Sequence, residues 1–317
     1  MTLSEFLRAH DICDGVAQLR PIGDGHSNLT FLVSDGTRRA VVRRPPPPPV
    51  PRGAHDVVRE ARLLSALAGT GVPVPAVLAV GAAGEVFDVP FYVMTYVPGP
   101  VVTTGTPAPL DTPAERRRIA ESLVDTLVAV HAVTGLDGRP EGFNARHLRR
   151  MAALASPPQA GPVYAWLAAR VPPESGATLV HNDFRIGNVV LAPDAPGRVA
   201  AVLDWELATV GDPLWDVGYF LASCPQPGEA LTPTGAFGRA MLEDGYPARA
   251  ELAARYAERS GRDLTGLAWY TVAALWKLAV LYEYSRRQAI DPYYADPGHV
   301  RAFLAAATAE IERQTER

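Results

Sequence analysis

LVHNDFRIGNVVL, residues 179–191, sets a loop dense in charge and amide groups between two apolar fragments of strand type. Leu179 and Val180 lead in; Val189, Val190 and Leu191 lead out. A plain turn asks for Gly, Pro, Asn or Asp. It does not need His181, Asn182, Asp183, Arg185 and Asn188 within eight positions, so this loop reads as one built to hold something. The next apolar strand, Val199 to Leu203, ends on Asp204 in VLDWE. Asp183, Asn188 and Asp204 then stand on adjacent loops at one end of a small sheet. Oxygen donors of this kind suit Mg²⁺, which keeps several waters and takes its other ligands from phosphates.

Upstream, residues 1–97 read as strands with one helix. Val16–Pro21, Asn28–Ser34 and Arg39–Arg43 have strand patterns, with Asp35-Gly36 as a hairpin turn between the last two. The turn Gly23-Asp24-Gly25-His26-Ser27-Asn28 can present backbone N–H groups to phosphate, although Gly-Asp-Gly is equally a common hairpin. RRPPPPPVPRG, residues 43–53, is a stiff extended spacer. Residues 55–67 carry an amphipathic stripe of Val57, Ala61, Leu64 and Leu67, which predicts a helix. Strands at 77–80 and 90–97 follow before Pro98-Gly99-Pro100 breaks the chain.

Beyond that break the pattern is mainly helical. Thr112-Pro113-Ala114-Glu115 has capping-box spacing with proline at the first helical position, and the apolar repeat runs on to His131. It resumes at 161–171 and again from 235 to the end. Composition adds exclusions. A net charge of -4 argues against a general nucleic-acid binder, and there is no run of eighteen apolar residues to span a membrane. Cys13 and Cys224 have no metal-type spacing and, with no secretory pattern at MTLSEFLRAH, predict a reducing, cytoplasmic setting. Lys277 is the only lysine among 30 Lys and Arg residues.

In combination these segments resemble the aminoglycoside phosphotransferase and choline kinase family, small-molecule relatives of protein kinases. The likeness is nearest to the phosphotransferase module associated with acyl-CoA dehydrogenases. It rests on GDGHSNLTFLV (23–33), VVRRPP (41–46), AHDVVRE (54–60), PFYVMTYVPG (90–99), HNDFRIGN (181–188) and DWELATVGDPLWDVGY (204–219), in the family's order. Two positions depart from the common pattern: Asn182 stands where glycine is usual, and Arg43 where most kinases have lysine.

The resemblance implies an α+β, two-lobed, protein-kinase-like fold, with a small antiparallel-sheet lobe (1–97) that binds nucleotide and a larger, mainly helical lobe (98–317) for catalysis and substrate. It implies ATP as co-substrate and Mg²⁺ as cofactor. Asp183 would accept or orient the acceptor hydroxyl, and Arg185 would reach the transferring phosphate. Asn188 and Asp204 would hold the metal. Arg43 would contact the α- and β-phosphates, with Glu60 orienting it. Gly23, Gly25, Ser27 and Asn28 would form the phosphate cover, and the segment Met94, Thr95, Tyr96, Val97 the adenine edge. His181 would bond backbone near the loop, Asp216 would brace the loop from a helix start, and Glu206 would either stand behind the metal ligands or simply be exposed.

The resemblance implies a small-molecule acceptor with a hydroxyl group. From Val217 onward twelve acidic residues meet eleven basic ones, a near-neutral balance that does not favour a polycationic aminoglycoside. Lys277, Arg286 and Arg287 leave room for an anionic acceptor such as a hydroxy acid or its CoA ester. Trp269 and Trp276 fall at core spacing. Alternatives are an antibiotic kinase, a nucleotide-binding pseudokinase without turnover, and a metal-dependent phosphoesterase. The last would ask for more His and Asp ligands than this loop offers.

Overall fold

The computed structural model describes residues 1–23, 28–47, 55–136, 141–155, 157–289 and 291–315. The chain forms two compact units, residues 1–99 with 200–206, and residues 100–199 with 207–317.

In the first unit α1 (Leu3–Ala9) precedes β1 (Gln18–Pro21), β2 (Leu29–Ser34) and β3 (Arg39–Arg44); α2 (Val57–Leu67), β4 (Val77–Gly81) and β5 (Phe91–Thr95) complete it. The strands make a five-stranded antiparallel sheet in the order β1-β2-β3-β5-β4. Asp35 closes the β2–β3 hairpin: its Oδ1 accepts the N–H groups of Thr37 and Arg38 at 2.9 and 2.8 Å. Strand alternation then sorts β3. Ala40 and Val42 join Val33, Phe91 and Val93 in a core with Phe6 and Leu7 of α1. Arg43 points the other way, to Glu60 of α2. Arg44 lies over the rings of Phe31 and Phe87, on the α1 face.

α1 went unread in the sequence. Its start is a capping box: the Glu5 N–H donates to Thr2 Oγ1, and the Thr2 N–H donates to the Glu5 carboxylate.

The second unit holds α3 (Pro113–His131), α4 (Phe143–Ala152), α5 (Pro157–Ala168), β6 (Thr178–Val180), β7 (Val189–Leu191), the start of β8 (Val199–Val202), β9 (Thr209–Gly211), α6 (Leu214–Ser223), α7 (Pro233–Phe237), α8 (Arg249–Ser260), α9 (Leu267–Gln288) and α10 (Pro297–Thr315). Thr112 caps α3 by accepting the Glu115 N–H. β6 pairs antiparallel with β9. α9 is apolar nearly all round because α6 and α10 pack against it; Trp269 and Trp276 are core residues, 4% and 0% exposed. The α6–α9 approach depends on Gly218, where a Cβ would fall 2.6 Å from the Tyr270 carbonyl carbon. Antiparallel-sheet and helical parts therefore make this an α+β fold of the two-lobed kinase type. Among the described residues no helix is long and apolar enough to cross a membrane.

Candidate active site

In the second unit the 179–191 loop leaves β6 and turns at Asn182, whose φ of +67° is the left-handed conformation that glycine adopts freely and asparagine tolerates. Asp216 holds this turn from the first helical turn of α6: its carboxylate, fully buried, accepts the N–H groups of His181 and Asn182, both at 2.6 Å. It thus braces the loop's own donors rather than those of the helix start. His131 backs it, with Nε2 3.2 Å from Asp216 Oδ2 and Nδ1 2.7 Å from Tyr256 Oη. Burial pushes the Asp216 pKa up, but the bonds from His131 and the His181 backbone outweigh this and hold it below the ordinary value. His181 Nδ1 accepts the Asp183 N–H at 3.2 Å.

Asp183 is the focus of the loop. Asn188, closing a short 3-10 turn (Ile186–Asn188), donates Nδ2 to Asp183 Oδ2 at 2.7 Å and to its carbonyl at 2.8 Å. Both bonds leave through nitrogen, so the amide oxygen of Asn188 is the atom suited to a cation. Tyr219 of α6 donates its hydroxyl to Asp183 Oδ1. Arg185 Nε lies 3.7 Å from that same oxygen, and its guanidinium lies over the ring of Phe237, 5.0 Å from the centroid. Asp183 and Arg185 keep 22% and 21% of their side chains exposed, enough for both to reach a ligand.

The first unit gathers a second set. Arg43 spreads its fork over three acceptors: Nε to Glu60 at 3.0 Å, Nη1 to its cross-strand neighbour Thr30 at 3.1 Å, and Nη2 to Asp204. Glu60, 2% exposed, also accepts the Trp205 N–H at 3.1 Å. Burial opposes the Arg43 charge, yet the carboxylates of Asp204 and Glu60 more than offset it, so the guanidinium stays firmly protonated. Burial pushes Glu60 up, and Arg43 counters this only in part. Asp204 sits at φ +66° with its side chain 31% exposed.

The remaining sequence candidates fall as follows. Gly23 has φ +79°, while Gly25 and Ser27 lie outside the described residues. Asn28 is buried, with Nδ2 donating to Glu206 at 2.9 Å and Oδ1 3.2 Å from His55 Nδ1. Glu206 is therefore tied to Asn28, a link that sequence reasoning missed. Met94 is buried in β5, Thr95 ties β5 to Ala76 by two bonds, Tyr96 lies under the Arg39 guanidinium, and Val97 is half-buried. Tyr219 was also missed, although its place one turn after Asp216 puts both on one helix face. Among the described residues no group of three or more His, Cys, Asp or Glu converges on a metal position. Within their own units Asn188 and Asp204 each offer an oxygen of the kind magnesium takes, a cation that needs few protein ligands when phosphates supply the rest.

The sequence profile of the phosphotransferase enzyme family matches residues 18–270. The chain belongs to that family. Among curated relatives, mouse acyl-CoA dehydrogenase family member 10 is 35% identical over 217 residues, which are 65% of this chain and 20% of that protein. The chain spans 20 to 36% of the length of the curated relatives it matches. Among solved structures, an aminoglycoside phosphotransferase-like protein from Ralstonia eutropha superposes with a TM-score of 0.76 at 28% identity, covering 97% of both chains. The aminoglycoside phosphotransferase APH(4)-Ia, solved with AMP-PNP and hygromycin B, shares the fold at a TM-score of 0.60 and 18% identity over 98% of this chain and 99% of that one.

Proposed function

We propose that this phosphotransferase moves the γ-phosphate of MgATP to a hydroxyl of a small molecule, with a hydroxy acid or its CoA ester as the favoured acceptor class. The observation that carries the reading is the Asp183 carboxylate, held by Asn188 on one oxygen with Arg185 beside the other. Such a carboxylate accepts or orients the proton of an attacking hydroxyl, and the nearby guanidinium meets charge on the transferring phosphoryl group. The resemblance to nucleotide-using phosphotransferases supports ATP as donor.

In the first unit Arg43 contacts the α- and β-phosphates while Glu60 keeps its fork aimed. Asp204, now hydrogen-bonded to Arg43, is the carboxylate for magnesium; phosphate oxygens drawing the guanidinium would release it. Within the second unit the Asn188 amide oxygen is a neutral donor of the kind magnesium takes. Magnesium, when bound, neutralises phosphate charge. Gly23 and Asn28 would cover the phosphates, together with Gly25 and Ser27 outside the described residues, and the strand end from Met94 to Val97 would face adenine.

Thermal-shift and ADP-release assays with MgATP and three acceptors (3-hydroxybutyrate, choline, kanamycin) test this. Asp183→Asn is expected to leave MgATP affinity nearly intact and lower turnover by ~10²–10⁴-fold. Wild-type turnover in that variant would remove Asp183 from the chemistry. Asp204→Ala is expected to abolish the Mg²⁺-dependent part of nucleotide affinity measured by calorimetry, because the neutral Asn188 cannot replace its charge.

A further inference from the structure

Tyr219 touches Asp183 from outside the acidic loop. It stands on α6, is 4% exposed, and gives its hydroxyl hydrogen to Asp183 Oδ1. The opposite oxygen takes the Asn188 amide at 2.7 Å. The carboxylate is thus fixed on both sides by donors from two separate elements. Left to itself, an aspartate rotates broadly about χ2. A proton acceptor must instead keep one lone pair aimed within hydrogen-bond reach of the incoming hydroxyl. An ionised carboxylate has about four lone-pair sites, so two occupied ones still leave room for that hydroxyl.

The phenol is itself held. Lys277 of α9 places Nζ 5.8 Å from the Tyr219 ring centroid, and this lysine is 6% exposed. A cation over a ring face is attracted to it; burial works against the Lys277 charge, while the Asp216 and Asp183 carboxylates favour it. Burial, and then the adjacent Asp183 carboxylate, push the Tyr219 phenol well above its usual range, so it stays protonated.

We propose that Tyr219, held in place by Lys277, is the positioning residue that orients the Asp183 carboxylate toward the acceptor hydroxyl. The proposal rests on the assignment of Asp183 made above. Tyr219 acts through Asp183 and does not meet the substrate.

Tyr219→Phe removes one oxygen and keeps the ring under Lys277. Crystal structures of wild type and variant, with kinetics on whichever of the three acceptors wild type phosphorylates best, provide the test. The expected result is an Asp183 carboxylate turned about χ2 in the variant. With it should come a kcat lower by about 10–100-fold at a MgATP KM within about twofold, and a Tyr219→Phe/Asp183→Asn double variant no slower than Asp183→Asn alone. Lys277→Met should lower kcat in the same direction by a smaller factor. An Asp183 that keeps its wild-type orientation in Tyr219→Phe overturns the proposal, whatever the kinetics. A turned carboxylate in a protein whose Asp183→Asn variant retains full turnover supports the positioning contact and refutes the phosphotransfer role of Asp183 instead.

Discussion

Arg43 carries more of the first unit than its charge alone suggests. A lysine would make one point contact, whereas the arginine fork serves Glu60, Thr30 and Asp204 together. Removing it leaves Glu60 buried without its charged partner, and burial then pushes the carboxyl further toward its neutral form. Arg43→Ala is therefore expected to cost roughly 3–5 kcal/mol in urea denaturation, the usual effect of breaking a buried pair, besides raising the ATP KM. Arg43→Lys should recover part of both losses, and Glu60→Gln should be a milder version of the kinetic defect. Arg44→Ala should leave ATP kinetics unchanged, since that side chain lies on the opposite face over Phe31 and Phe87. A kinetic defect confined to Arg44 would transfer the phosphate contact to it. At this scale the sequence was informative wherever chemistry is local. Strand alternation separated Arg43 from Arg44, and the Asn182 position, normally glycine, has the positive φ that glycine would supply. The Asn28–Glu206 and Tyr219–Asp183 bonds were illegible because they join residues 178 and 36 positions apart, with no spacing rule to connect them.

At the scale of elements, long periodic segments were readable and short ones were not. α3 announced itself through Thr112, Pro113 and a long apolar repeat. α1 has seven residues, too few for a periodicity to stand out, yet Thr2 and Glu5 held the capping-box signature in plain view. β9, three residues long, owes its existence to pairing with β6. Two substitutions test how these elements are held. Thr2→Ala is expected to cost about 1 kcal/mol by deleting a cap, read as a lower urea midpoint. Gly218→Ala sets two effects against each other. Alanine favours the helix by about 1 kcal/mol, but its Cβ would sit 2.6 and 2.7 Å from backbone atoms of Tyr270, which cannot swing aside as a flexible side chain can. Overpacking should win, with a net destabilisation of about 1–2 kcal/mol and a lower melting temperature. A stabilised Gly218→Ala protein would mean that α6 and α9 can separate without loss.

Across the molecule, pH acts through groups that were buried uncharged. His147 stacks on Phe143, meets Trp215 edge-on, and has a buried Nε2 with no hydrogen-bond partner among the described residues. Burial, then Lys277 and Arg150, lower its pKa to about 3. The unfolded chain takes up this proton near pH ~6.5. Between those values the unfolded state binds the extra proton, so stability rises with pH and is lost on acidification, by at most about 1.4 kcal/mol per pH unit. Urea midpoints measured at pH 7.5 and 5 should fall more steeply for wild type than for His147→Gln. Parallel losses would show that other groups dominate the acid response.

The neighbouring Lys277 has a practical side. Because it is the sole lysine and is 6% exposed, the native chain presents acylating reagents with almost no side-chain amine. Each modification at Lys277 should then record an opening of the helical packing around α9. Mass-spectrometric counting of acetylated Lys277 over time would work as a single-site clock for unfolding, slowed by any ligand that stabilises the native state.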